Sequence, residues 1–273
     1  MKNNLIKYLR EKSLWVRTET LNIHRIAKGP RLSSSLSCVE IFVVLYYGKI
    51  INFKPLDTKW ENRNRFIISK GHGGISLYPI LADLGFFDKQ ELKRVCKEGS
   101  IFGSMPDPNI PGFETINGSL GHGLGVACGM ALALKRKKNN SKIFVLLGDG
   151  ELYEGSVWES IMFAGEHKLD NLIAIIDNNK VCMLDYCKNI LDLEPLQEKF
   201  KVFKWNTNVV DGHNVNHLYN SLKNLKEEKS NKPNILIANT IKGKGVPSLE
   251  NDALSHVKTL TTEEIDMAIS RLK

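Results

Sequence analysis

The chain has 273 residues, 42% of them hydrophobic and 25% charged, which allows one large α/β domain with a full core and excludes a disordered chain. No apolar run approaches the roughly 18–20 residues of a membrane span, and the charged start "MKNNLIKYLREKSLWVR" lacks the apolar centre of a signal peptide. The formal charge of +8 favours anionic ligands or an acidic partner, but no nucleic-acid motif accompanies the dispersed lysines, and the run "KRKKNNSK" at 135–142 reads as a solvated turn.

In chain order, residues 4–27 read as a long helix stopped by Gly29-Pro30. "SCVE" at 37–40 reads as a capping box opening the apolar helix "IFVVLYYG". A short strand at 65–68 leads through "SKGHGG" into a helix near 75–84, and Asp88 and Glu91 repeat the capping spacing for another. "NGSLGHGLGVACGMALAL" (117–134) is a glycine-rich loop running into a helix. Strand 142–147, helix 156–167, strands 172–177 and 207–211, helix 216–228 and strand 234–241 follow, and a Thr261/Glu264 capping box starts a closing helix. The alternation predicts an α/β fold, a parallel sheet with helices on both faces, formed by residues 1–273 as a single domain. Five cysteines, an odd number with no CxxC pair, read as free thiols in a reducing cytoplasm.

One carboxylate stands out. In "LLGDGELYEG" (146–155), Asp149 lies between two glycines directly after the apolar run 143–147. A capped strand-to-helix turn is the bland reading. Ligands in such sheets, however, bind outside the carboxyl ends of the strands. Asn179 follows the next apolar strand thirty residues on, the length of one βαβ unit, so the two strand ends are expected side by side. A carboxylate, an amide oxygen and a nearby backbone carbonyl make a hard-oxygen site that suits Mg²⁺, with Gly148 and Gly150 leaving backbone N–H groups open to phosphate.

"GDGELYEG…IIDNNKV" resembles the thiamin-diphosphate motif, and the surrounding sequence resembles the transketolase family. "RFIISKGHGG", "NGSLGHGLGVACGMALA", "PDPNIPG", "VDGHN" and "TIKGKGV" are similar to family segments in the same order over nearly the whole chain. The resemblance implies that Asp149, Asn179 and the carbonyl of Val181 hold Mg²⁺. It places Gly148, Gly150 and Glu151 at the cofactor, and His72, Lys242 and His256 at its diphosphate end or the adjoining substrate. His72 and His256 carry the implied catalytic role. Gly118, Ser119 and Leu120 would line the aminopyrimidine, Ser34 would face the cofactor, and Glu154 would sit at a subunit interface. His122, where the family has Gln, reads as a packed helix histidine.

Two positions depart from the family. Its substrate-binding histidines fall on Arg31 and Met105 here. Methionine offers mostly apolar contact, and arginine a charged fork suited to carboxylate or phosphate. Pyrimidine-binding and C-terminal domains follow this one in transketolases, so the resemblance implies the N-terminal subunit of a split enzyme, completed by a pyrimidine-domain chain as an α2β2 tetramer. The implied reaction moves a two-carbon unit from a ketose or pyruvate-like donor to a sugar phosphate or nucleotide-sugar acceptor, with no membrane or nucleic-acid partner. Two other readings are the α subunit of a 2-oxo acid dehydrogenase, which "SKGH" and "NGSLGHG" oppose, and a non-catalytic assembly subunit, which has no use for a complete metal site.

Overall fold

The computed structural model describes residues 2–28, 31–183, 185–250 and 252–272; the Gly29-Pro30 helix stop lies outside them. Five strands, β1 (Arg65–Ile68), β2 (Ile143–Gly148), β3 (Leu172–Asn178), β4 (Asn206–Asp211) and β5 (Asn234–Asn239), form one sheet in the order β1-β2-β3-β5-β4. Every pairing is parallel. All residues of β2 and β3 are buried, as expected of parallel strands covered on both faces.

The helices are α1 (Lys2–Ala27), α2 (Leu32–Ser37), α3 (Val39–Tyr47), α4 (Leu77–Asp83) and α5 (Gly123–Arg136). They continue with α6 (Gly155–Glu166), α7 (Cys187–Ile190), α8 (Leu196–Val202), α9 (Val215–Glu227) and α10 (Thr262–Leu272). The two-residue period of a strand divides its side chains between two cores. Phe144 and Leu146 of β2 join Ile173, Ile175 and Leu236 against α1, α3, α4 and α9. Ile143, Val145 and Leu147 join Ala174, Ile176 and Ile235 against α5, α6 and α8. A third cluster packs Leu21 of α1 and Leu36 of α2 on Ile265 and Ala268 of α10.

Two local expectations need correction. "SCVE" is not a capping box: Ser37 ends α2 and α3 begins at Val39 without a side-chain cap. The Ser37 hydroxyl donates to Asp177 and Glu40 pairs with Arg17, so tertiary partners displaced the local ones. The Asp88 segment is a short 3₁₀ turn, Lys89–Arg94, capped through the Gln90 amide rather than Glu91. The Thr261/Glu264 box forms in full, each residue's side chain accepting from the other's backbone N–H at 2.8 and 3.2 Å. Lysines and arginine at 135–138 are exposed, as a solvated turn requires.

Candidate active site

The carboxyl ends of β1, β2, β3 and β5 converge. Asp149 follows β2, and its side chain accepts from the Gly150 N–H at 2.8 Å and from the N–H of Lys180, just beyond β3. Asn179 Oδ1 accepts from the Val181 N–H at 3.2 Å. The Val181 carbonyl accepts from Lys242 Nζ at 2.9 Å, which also reaches the Cys182 carbonyl at 3.0 Å. Lys242 comes from the loop after β5, so three strands supply this corner.

Burial dominates its electrostatics. Burial, then the nearby charge of Asp177, pushes the Asp149 carboxyl up to about 6. Burial, then the charge of Lys70, pulls Lys242 down to about 8. Among the described residues no three histidine, cysteine or acidic side chains cluster as a metal site. A hard cation would therefore rely on the mixed set of one carboxylate, one amide oxygen and one carbonyl. Lys242 Nζ already places a cation at that carbonyl, and a divalent ion would relieve the buried Asp149. The donors fit Mg²⁺, which binds few protein oxygens and fills the rest of its octahedron with phosphate and water.

Two imidazoles face each other beside this corner, their ring centroids 5.1 Å apart at 73°. His72 lies in the 3₁₀ turn Gly71–Ser76 that follows β1. A Cβ on Gly71 would stand 2.5 Å from the Asn117 carbonyl, so only glycine lets the turn sit this close. His256 has Nδ1 3.4 Å from the Ser34 hydroxyl. Burial, then the charge of Lys70, holds His72 well below its ordinary value. Burial, then Lys242 and Arg31, brings His256 down to about 4. Both rings are neutral at pH 7 and can accept or relay a proton.

Beneath the cavity lies a network that sequence reasoning did not find. Lys70 and Asp177 form an ion pair buried to about 1% exposure on either side. Ser37 and Thr240 donate to the same carboxylate, and Lys70 also reaches the Ser34 carbonyl at 3.3 Å. Burial, the largest single effect, opposes both charges, yet the partner's charge and the surrounding hydrogen bonds together outweigh it, so Lys70 is raised and Asp177 lowered from their usual values. The signal was a lone charge at the end of each of two apolar strands, in "IISK" and "IIDN".

Most of the expected residues meet in one cavity of about 230 Å³. Arg31, His72, Gly118, Leu120, Gly148, Asp149, Gly150, Asn179, Val181, Lys242 and His256 line it. Cys182 and Met183, which the sequence did not single out, complete the wall. Glu151 also lines it, but its carboxylate accepts from Ser69, the Gly121 N–H and the Gly148 N–H. It braces the loop instead of offering an oxygen to a ligand. Ser34 is buried behind His256, Ser119 is exposed beside the opening, and Met105 rests against Gly71 without lining the cavity. Glu154 is exposed at the start of α6 beside Gly121, whose φ of 86° favours glycine and where an added Cβ would stand 2.7 Å from the Glu154 Cβ. His122 is exposed at the start of α5 instead of packed.

Residues 16–272 match the family "Transketolase, thiamine diphosphate binding domain". The chain belongs to the transketolase family. It is 37% identical to a 6-deoxy-6-sulfo-D-fructose transketolase subunit of Clostridium sp. (strain MSTE9), over 89% of this chain and 88% of that one. It is 34% identical to mouse transketolase, over 98% of this chain but 42% of the mouse protein. Among solved structures, transketolase from Campylobacter jejuni superposes with a TM-score of 0.90 at 29% identity, over 97% of this chain and 43% of that one. The chain thus spans less than half the length of these longer transketolases, and its α/β sheet is that of their thiamin-diphosphate-binding fold.

Proposed function

We propose that this chain is the diphosphate-binding subunit of a two-chain, thiamin-diphosphate- and Mg²⁺-dependent transketolase-like transferase, with residues 1–273 acting as one domain. The observation that carries the reading is the convergence of Asp149, Asn179 and the Val181 carbonyl with Lys242 at one corner. Asp149, Asn179 and Val181 would hold the metal, while Gly150 and Lys242 would meet the diphosphate. When bound, thiamin diphosphate supplies a nucleophilic carbon that attacks a donor carbonyl and stabilises the electron pair left when the neighbouring C–C bond breaks.

This chain's own residues bind and orient. The Lys242 ammonium neutralises phosphate charge in a site of low dielectric, where the pairing is stronger than in water. His72 and His256, both neutral, can donate to a substrate oxygen and exchange a proton with it. The Lys70–Asp177 pair ties the segment after β1 to β3 across β2.

A partner supplying the pyrimidine-binding domain fits the surface of α5 and α6. Val126, Met162 and Phe163 are exposed there at 43%, 48% and 39%, on the side that also carries Glu154. An α2β2 assembly follows if cofactor sites form between such chains, and relatives named as subunits favour a split enzyme. Five free cysteines support a cytoplasmic setting. Among the described residues no helix is long and apolar enough to cross a membrane. The donor is a ketose or a pyruvate-like compound, and the acceptor a sugar phosphate or nucleotide sugar.

Calorimetric titration with thiamin diphosphate, with Mg²⁺ and then with EDTA, tests the reading. Mg²⁺-dependent binding is expected. Binding that ignores EDTA, or no binding by the chain assembled with the protein that co-purifies with it, overturns it.

A further inference from the structure

Arg31 carries a charge that the fold does not use. It is half-buried at the start of α2, with a left-handed backbone φ of 77°. Arg31 lines the cavity, and among the described residues no hydrogen bond or ion pair engages its guanidinium. The neighbouring cations are all committed: Lys70 to Asp177, Lys242 to the carbonyls of 181 and 182, and Arg17 to Glu40.

Arg31 shares the cavity wall with His72 and His256, and its charge is among those that depress both imidazoles, together with Lys70 and Lys242. A partly desolvated guanidinium beside two neutral rings and a lysine is destabilising until an anion arrives. Its planar fork matches the two oxygens of a carboxylate or a phosphate.

We propose that Arg31 is a specificity-determining residue whose guanidinium binds an oxyanion carried by the substrate, at the imidazole side of the cavity. The proposal rests on the reading that the diphosphate of the cofactor occupies the Asp149–Lys242 side. Two sources share this chemistry: the carboxylate of a 2-oxo acid donor, and the phosphate of a sugar phosphate. Met105 lies against Gly71 and does not line the cavity, so of the two positions that depart from the family only Arg31 can touch a substrate there.

The test uses the full chain assembled with the protein that co-purifies with it, with Mg²⁺ and saturating thiamin diphosphate, titrated with pyruvate, with glycolaldehyde phosphate and with uncharged hydroxyacetone. Binding is followed through the imidazole proton resonances of His72 and His256. Arg31→Gln should weaken one of the two anions by about tenfold or more, as expected for loss of a charge-assisted pair, and leave hydroxyacetone unmoved. The anion that responds identifies the source. An equal loss of thiamin diphosphate affinity in Arg31→Gln would assign the guanidinium to the cofactor and overturn the proposal. So would anion titrations that are the same in both proteins. If the assembly of the unmodified chain with its co-purifying partner binds no cofactor, the reading of the metal corner fails instead, and the same titrations without cofactor still decide Arg31.

Discussion

Lys242 Nζ stands 2.9 Å from the Val181 carbonyl oxygen, so the loop after β5 delivers a positive charge to the peptide that follows Asn179. This contact joins two segments sixty-one residues apart and brings them to the Asp149 carboxylate. Lys242 has been pulled down to about 8, so it loses its proton in the mildly alkaline range. Affinity for thiamin diphosphate should fall as pH rises above about 8, because the anion binds the protonated form. In Lys242→Met the affinity should be lower throughout and flat across that range. Titration calorimetry at pH 7 to 9.5 checks both.

Asp149 illustrates function held against stability. Its carboxyl is raised from 3.8 to about 6, so the native state binds the proton more tightly than the unfolded chain does. Between those values stability falls as pH rises, and at pH 7 the penalty is fully present, about 3 kcal/mol for a shift of this size. Asp149→Asn should raise the stability of the metal-free protein by about 1–3 kcal/mol while abolishing Mg²⁺-dependent cofactor binding. Denaturant unfolding and calorimetry on the same samples would show the opposite signs. A variant less stable than the parent would contradict the electrostatic account of this corner.

The imidazoles make a second pH prediction. His256 is depressed to about 4, so between that value and the ordinary 6.5 the unfolded chain binds the proton and the native one does not. Stability contributed by this group is therefore lost as pH falls from 6.5 toward 4. After solvent screening the effect is about 1–2 kcal/mol. His256→Gln should flatten the stability curve in that window and leave it unchanged above pH 7. Urea midpoints at pH 4.5, 5.5 and 7.5 are sufficient.

His213 links the Lys242 loop to the helical layer. Its Nε2 accepts from the Ile241 N–H at 2.8 Å, which leaves the proton on Nδ1, 2.9 Å from Glu40. Glu40 in turn pairs with Arg17, which reaches the Lys244 carbonyl at 3.1 Å. His213→Ala strips the Ile241 N–H and one Glu40 oxygen of their partners, at about 1–3 kcal/mol. Faster hydrogen exchange confined to residues 241–245, together with weaker cofactor binding, is the expected result. Unchanged exchange there would show that the loop holds its place without the imidazole.

Asp177→Ala strands the Lys70 ammonium in a dry site, and a loss of about 3–5 kcal/mol is expected. Changing the pair together, Lys70→Met with Asp177→Leu, should recover much of it, since apolar replacements of a buried pair are often tolerated. Chemical denaturation of the single and double variants measures this.

How far the sequence predicted all this depended on distance along the chain. The strands and most helices follow from periodicity within a residue or two, because a buried strand with helices on both sides leaves an unmistakable apolar run. Asp149 and Asn179 were visible because β2 and β3 are neighbours in both sequence and sheet. Lys70 and Asp177 were not, since their pairing reaches from the end of β1, past β2, to β3. The bracing contacts of Glu151 were hidden for a similar reason. Its partners Ser69 and Gly121 arrive from other segments, and the local motif gives no sign of them.

The sheet order has a consequence for synthesis. The chain passes from β3 to β4 at the outer edge before returning with β5 to fill the gap between them. Until residues 234–239 have left the ribosome, β3 is an open edge with its backbone hydrogen-bonding groups unsatisfied on one side. At the usual pace of translation that exposure lasts from a few to about ten seconds after β3 emerges. A nascent chain stalled in that interval carries Asn179 just beyond a strand that can pair with the same strand of another chain. This protein's vulnerable period is therefore set by the late arrival of β5, and slowing elongation over residues 179–239 should raise its demand for chaperones.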